Sequence, residues 1–70
     1  MRLSARNVLR GKVVEIDKGK VTAIVRIDVG GGNVVTSSVT MAALEDLKLK
    51  KGSPVTAIIK ASEVILGVED

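Results

Sequence analysis

The 70-residue sequence predicts an all-β domain with one short helix, closed as a small five-stranded barrel. Three observations carry this expectation. Eighteen of the 70 residues are Val or Ile, the β-branched types that fit a pleated, half-buried surface. Residues 21–29 (VTAIVRIDV) alternate along their length, the period-two pattern of a strand with one face inside. Short apolar runs are separated by turn chemistry, and a single helical stretch falls between the third run and the fourth.

The first strand is expected over Val8–Ile16 (VLRGKVVEI), with Gly11 suggesting a bulge or bend. Asp17-Lys18-Gly19-Lys20 makes a turn. The second strand, Val21–Val29, sets Val21, Ala23, Val25, Ile27 and Val29 on one face and Thr22, Ile24, Arg26 and Asp28 on the other. Gly30-Gly31-Gly32-Asn33 supplies the positive φ angles of a hairpin turn. Val34–Val39 forms the third strand. The helix is expected in residues 41–49 (MAALEDLKL), with Thr40 as N-cap and Leu44 and Leu47 sharing a face. Lys51-Gly52-Ser53-Pro54 ends it. Val55–Ala61 is the fourth strand, Ser62-Glu63 a link, and Val64–Val68 the fifth strand. One domain spans residues 1–70, without linker, low-complexity segment or repeat. The layout is that of an OB-like β-barrel. Fold alone does not name a function.

Composition narrows the chemistry. The absence of Cys and His excludes disulfides and thiolate or imidazole metal sites. Phe, Tyr and Trp are absent too, so the side chains that bury most area are missing from a chain already short of core. Assembly into an oligomer is the remaining way to turn exposed aliphatic surface into interior. A net charge of +3, from 11 basic and 8 acidic residues, draws anions without naming one. MRLSARN has no hydrophobic signal region and no apolar run reaches membrane-spanning length, so a cytoplasmic address is expected.

Catalysis is not supported. The carboxylate pairs Glu45-Asp46 and Glu69-Asp70 read as solvated charges, and the triple glycine does not lead into a helix. A basic OB-like barrel suits single-stranded nucleic acid, but such barrels stack bases on aromatic side chains. Without them only backbone binding is left, weak and sensitive to salt. A compact inorganic oxyanion instead asks for short convergent donors and one or two cations. Ser4, Arg6 and Asn7 precede the first strand, Ser37, Ser38 and Thr40 end the third, and Lys60 and Ser62 close the fourth. The start of the helix adds N–H groups. Plainer roles stay open: Ser4 and Asn7 as backbone partners at a strand entrance, Thr40 as a cap, Lys60 as a surface lysine.

The segments SARNVLRGKV, GKVTAIVRIDVGGGNVVTSSVT and LEDLKLKKGSPVTAIIKASEVIL, in this order and spacing, resemble a molbindin. These are small proteins of the Mop domain family, related to the TOBE domains of molybdate transporters and regulators. The similarity runs from Leu3 to Leu66 and includes SARN, the N-x-L-x-G-x-V pattern and T-A-x-I-K-[AS]. It implies an OB-like barrel (a Mop/TOBE domain) and a homo-oligomer, a hexamer built from dimers. Molybdate or tungstate would be bound as the oxyanion at subunit interfaces, with no organic cofactor, no bare metal ion and no reaction. The role implied is cytoplasmic storage or buffering, with neither membrane nor nucleic acid as partner; a small OB-fold nucleic-acid module is the alternative. By this resemblance Ser4 and Arg6 hold the dianion with Lys60, Ser62 and Thr40. Asn7 and Ala61, inside the matching motifs, complete the expected oxyanion-binding set. Some relatives carry a Ser three residues beyond that Thr; here Ala43 offers only its backbone N–H.

Overall fold

The computed structural model describes residues 4–69. Four antiparallel strands form one curled sheet in the order β3-β2-β1-β4: β1 Asn7–Lys18, β2 Thr22–Gly30, β3 Asn33–Thr40 and β4 Pro54–Ile59. One helix, α1 (Met41–Asp46), joins β3 to the segment before β4, and a 3-10 turn, Ala61–Glu63, comes after β4. The expected class, β with one short helix, is what forms. The buried core is Val13, Ala23, Val25, Ile27, Leu44 and Ala57, all aliphatic.

β1 is shared by two ladders. Its first half pairs with β4 from Asn7↔Ile59 to Lys12↔Pro54, and from Lys12 onward it pairs with β2. The β2 register slips between Val13 and Glu15, leaving Val14 as an extra residue. Because side chains alternate with period two, one inserted residue moves the rest of the strand to the other face. Val13 is buried opposite Ile27, and Ile16, opposite Val25, packs against the same core. Glu15 is left outside, opposite Arg26, with which it forms an ion pair.

Gly11 is not the bulge the sequence suggested. It sits in the ladder opposite Val55. Its role is close approach: a Cβ there would collide with the Asp28 carbonyl oxygen and come within 2.9 Å of Ile27 Cγ2. The triple glycine behaves as expected. Gly31 and Gly32 take φ of 63° and 79° between Gly30 and Asn33, the two positive angles of a tight hairpin loop.

Three further differences have physical causes. Val21 falls in the turn before β2 and is 73% exposed, so the inner face of β2 starts at Ala23. The helix stops at Asp46 rather than running to Leu49. Leu49 N donates to Leu44 O at 3.2 Å and Lys48 N to Glu45 O at 3.0 Å, a Schellman ending with Lys48 at φ 53°. This swings Leu47 into solvent and brings Leu49 against the core in its place. The fifth strand, Val64–Val68, does not form. β4 ends at Ile59, the 3-10 turn redirects the chain, and Ile65, Leu66 and Val68 are about nine-tenths exposed. The outer edges of β3 and β4 stay free, and this segment pairs with neither.

Two substitutions test these points by thermal melting. Gly11→Ala must push the β2 backbone away and should cost about 1–3 kcal/mol or more, lowering the midpoint by at least several degrees. Lys48→Gly should raise stability by about 0.5–1 kcal/mol, because glycine adopts the left-handed helix-end conformation without a Cβ clash.

Candidate functional site

The β1–β4 register decides where the expected donors lie. Asn7 is opposite Ile59, so Arg6 and Lys60 come next as neighbours just off the end of the ladder. Asn7 is half-buried, and its side-chain amide donates to the Ile59 carbonyl at 3.1 Å, tying the two strand ends together. Arg6 and Lys60 are exposed, as are Ser4, Ala61 and Ser62. Neither cation makes an ion pair among the described residues, where the pair formed is Arg26–Glu15. Lys60 caps the 3-10 turn through its backbone: its carbonyl accepts from Glu63 N at 2.9 Å. The Lys60 ammonium is therefore free of any structural duty in the turn. One end of the sheet thus gathers Ser4, Arg6, Asn7, Lys60, Ala61 and Ser62.

Thr40 lies elsewhere. It ends β3 opposite Thr22, at the level where Ala23 meets Lys18 of β1. From Asn7 to Lys18 is eleven steps along β1 (18 − 7), about 35 Å of strand at the usual rise. The Thr40 hydroxyl oxygen accepts from Ala43 N at 3.0 Å, the N-cap bond the sequence suggested. Its O–H hydrogen remains available to donate. Two expected donors are withdrawn, however. Ala43 N–H is consumed by Thr40, and Met41 N–H donates to Val21 O at 2.7 Å. With six residues, α1 contributes little dipole, so Thr40 offers a hydroxyl and not a nest of N–H groups. Ser37 and Ser38 sit mid-strand, opposite Val25 and Ile24, away from both ends.

Between the edge strands β3 and β4 the curled sheet leaves an open groove of about 330 Å³. Its lining is mostly aliphatic, Val25, Ile27 and Ala57 among it, with the hydroxyl residues Thr36, Ser37 and Thr56. With no cation in its lining, so largely aliphatic a groove suits apolar side chains better than a dianion. Among the described residues no group of three or more acidic, Cys or His side chains is placed to hold a metal ion, and no helix is long and apolar enough to cross a membrane.

The profile of the TOBE domain matches residues 3–66, nearly the whole chain. The chain belongs to the TOBE domain family. A relative from Haemophilus influenzae, described as a probable molybdenum-pterin-binding protein, is 56% identical over 69 residues, covering 99% of this chain and 100% of the relative. Among solved structures, the cytoplasmic molybdate-binding protein ModG with molybdate bound superposes with a TM-score of 0.94 at 51% identity. The match takes in 99% of this chain but 49% of ModG, so this TOBE domain spans about half of that protein. A molybdate-binding protein from Sporomusa ovata superposes at 0.89 with 37% identity, covering 97% and 100% of the two chains.

One basic cluster escaped the sequence reading. Lys18, Lys50 and Lys51 border a common cleft on the TOBE domain's flank. The signal was the lysine-rich stretch at 48–51, which reads as the end of a helix until the turn beyond it is seen.

Proposed function

We propose that the protein binds molybdate or tungstate without turning it over, holding the oxyanion between copies of the chain as a cytoplasmic store or buffer. The observation that supports the reading is the Asn7↔Ile59 register, next to which Arg6 and Lys60 follow as exposed neighbours without an ion-pair partner among the described residues. Relatives matched nearly end to end support it, one described as a probable molybdenum-pterin-binding protein and one as a molybdate-binding protein. The description of ModG as cytoplasmic supports the location. The nucleic-acid alternative has no support in these relatives.

The donor chemistry fits a fully ionised tetrahedral anion. Ser4, Arg6, Thr40, Lys60 and Ser62 all donate to an anion's oxygens, and the charged donors contribute most. Phosphate carries a proton at neutral pH and needs an acceptor for it; sulfate is smaller and reaches fewer donors at once. Thr40, at the far end of the sheet, joins Arg6 and Lys60 only if a second copy brings it there. That requirement supports placing the site at an interface. The exposed Ile65, Leu66 and Val68 and the open apolar groove support self-association in the same way, and a hexamer built from dimers is the assembly proposed.

Millimolar molybdate should stabilise the fold by about 2.7 kcal/mol per site at a hundredfold excess over Kd, and so raise the melting temperature, with sulfate and phosphate doing far less. A melt that single-stranded RNA shifts at physiological salt and molybdate does not would favour the nucleic-acid module. Isothermal titration should show molybdate affinity reduced roughly ten- to a hundredfold in Arg6→Ala and in Lys60→Ala, since each loses a charge-assisted hydrogen bond. Ser4→Ala should cost less, Arg6→Lys should recover only part, and Lys12→Ala, mid-strand, should bind as wild type. Wild-type affinity in both alanine variants of the cations would take this pole out of the site.

A further inference from the structure

β1 outruns β4. Their pairing ends at Lys12↔Pro54, and β1 continues to Lys18 with β2 alongside. Beside this overhang the chain leading into β4 makes a tight turn, residues 50–53. Ser53 N donates to Lys50 O at 2.9 Å, and Lys50 N donates to the Ser53 hydroxyl at 3.0 Å. Gly52, at φ 92°, supplies the left-handed third position of a type II turn. Two more backbone bonds fasten the turn onto β1 next to its bulge: Val13 N to Ser53 O at 2.9 Å and Gly52 N to Val13 O at 2.7 Å. The turn is closed by its own two bonds and anchored to β1 through Gly52 and Ser53, which fixes the backbone that carries the two exposed lysines.

The cleft between turn and overhang has a volume of about 400 Å³. Val14, Ile16 and Leu49 give it an apolar floor, and Lys18, Lys50 and Lys51 stand around it. The one carboxylate in its lining, Glu15, is engaged by Arg26. Among the described residues none of the three lysines has an ion-pair partner. The bulge at Val14 is what exposes this floor, since it turns Val14 outward while Ile16 stays half-buried.

Three ammonium groups around an aliphatic floor match an anion with several charged oxygens and an organic body. A lone tetrahedral dianion would leave the floor unused and would be held by exposed lysines alone. We propose that this cleft is a second anion site, apart from the Arg6–Lys60 pole, for a small organic di- or polyphosphate. Its phosphates engage Lys18, Lys50 and Lys51, and its organic body lies on Val14, Ile16 and Leu49. With no aromatic side chain in the protein, the phosphates dominate recognition and the body adds a modest contribution. The inference stands on the cleft alone and does not rest on the molybdate reading.

The test is an NMR titration of the ¹⁵N-labelled full chain at low ionic strength with ADP, inorganic pyrophosphate, adenosine and molybdate. ADP should shift the amides of Val14, Lys18 and residues 49–52 in a saturable way that added salt weakens. Pyrophosphate should bind the same amides more weakly, and adenosine should not bind. The triple variant Lys18→Gln/Lys50→Gln/Lys51→Gln should lose at least about tenfold in ADP affinity while its other amides and its response to molybdate stay unchanged. The proposal is overturned if millimolar ADP leaves these amides unmoved, or if the triple variant binds ADP like wild type. Displacement of ADP by molybdate, or shifts centred on Arg6 and Lys60, would overturn it equally.

Discussion

A single strand, β1, places everything else in the molecule, because both of its edges are used. β4 lies on one edge of its first half and β2 on the other edge from Lys12 onward, so the sheet must curl where the two ladders overlap. At that overlap Val13 is buried, facing Ile27, while its backbone carries the turn that leads into β4. The extra residue at Val14 then resets the alternation so that Ile16 returns to the interior. Without it Glu15 would point inward and Ile16 outward, which would bury a charge and expose an apolar side chain. A core of six aliphatic residues has little margin for such an error.

What the sequence made legible depends on how local each signal is. The inner face of β2 from Ala23 to Ile27, the glycine hairpin and the Thr40 cap rest on residues within a few positions of one another, and all three form as expected. The slip at Val14 has no local mark: its cause is a partner strand eleven or more residues away, and Gly11 drew attention to the wrong position. The early end of α1 was hidden because its left-handed residue is Lys48, where a glycine would have announced the turn. Val64–Val68 has the composition of a strand but pairs with neither free edge of the sheet, β3 or β4, and pairing is a fact that composition cannot convey. The charged pole was divided the same way. Arg6 and Lys60 are 54 residues apart (60 − 6), so resemblance suggested their partnership and only the ladder register explains how they come to be neighbours.

Two kinds of positive surface coexist on this small body, and their geometry separates the two binding tasks proposed for them. At the Arg6–Lys60 end the cations stand with hydroxyl and backbone donors on chain just outside the sheet. Such a setting rewards a small, highly charged ion whose every oxygen is an acceptor. At the Lys50–Lys51 turn the cations rise from an aliphatic floor and their backbone is fixed by four hydrogen bonds. There the fit is to a larger anion with a hydrophobic portion. Net charge of +3 spread evenly would distinguish neither.

Thr40 and the Arg6–Lys60 pair lie at opposite ends of the β1 path, so the oxyanion site proposed above, if it uses all three, has to be completed across a boundary between chains. Its occupancy then obeys the law of mass action in protein as well as in ligand. Dilute chains would hold few complete sites, whereas a rise in their number creates binding capacity faster than in direct proportion. A cell that synthesises more of such a protein would therefore gain a tighter reservoir as well as a larger one. When the chains become scarce, by dilution or degradation, the same rule returns the anion to solution.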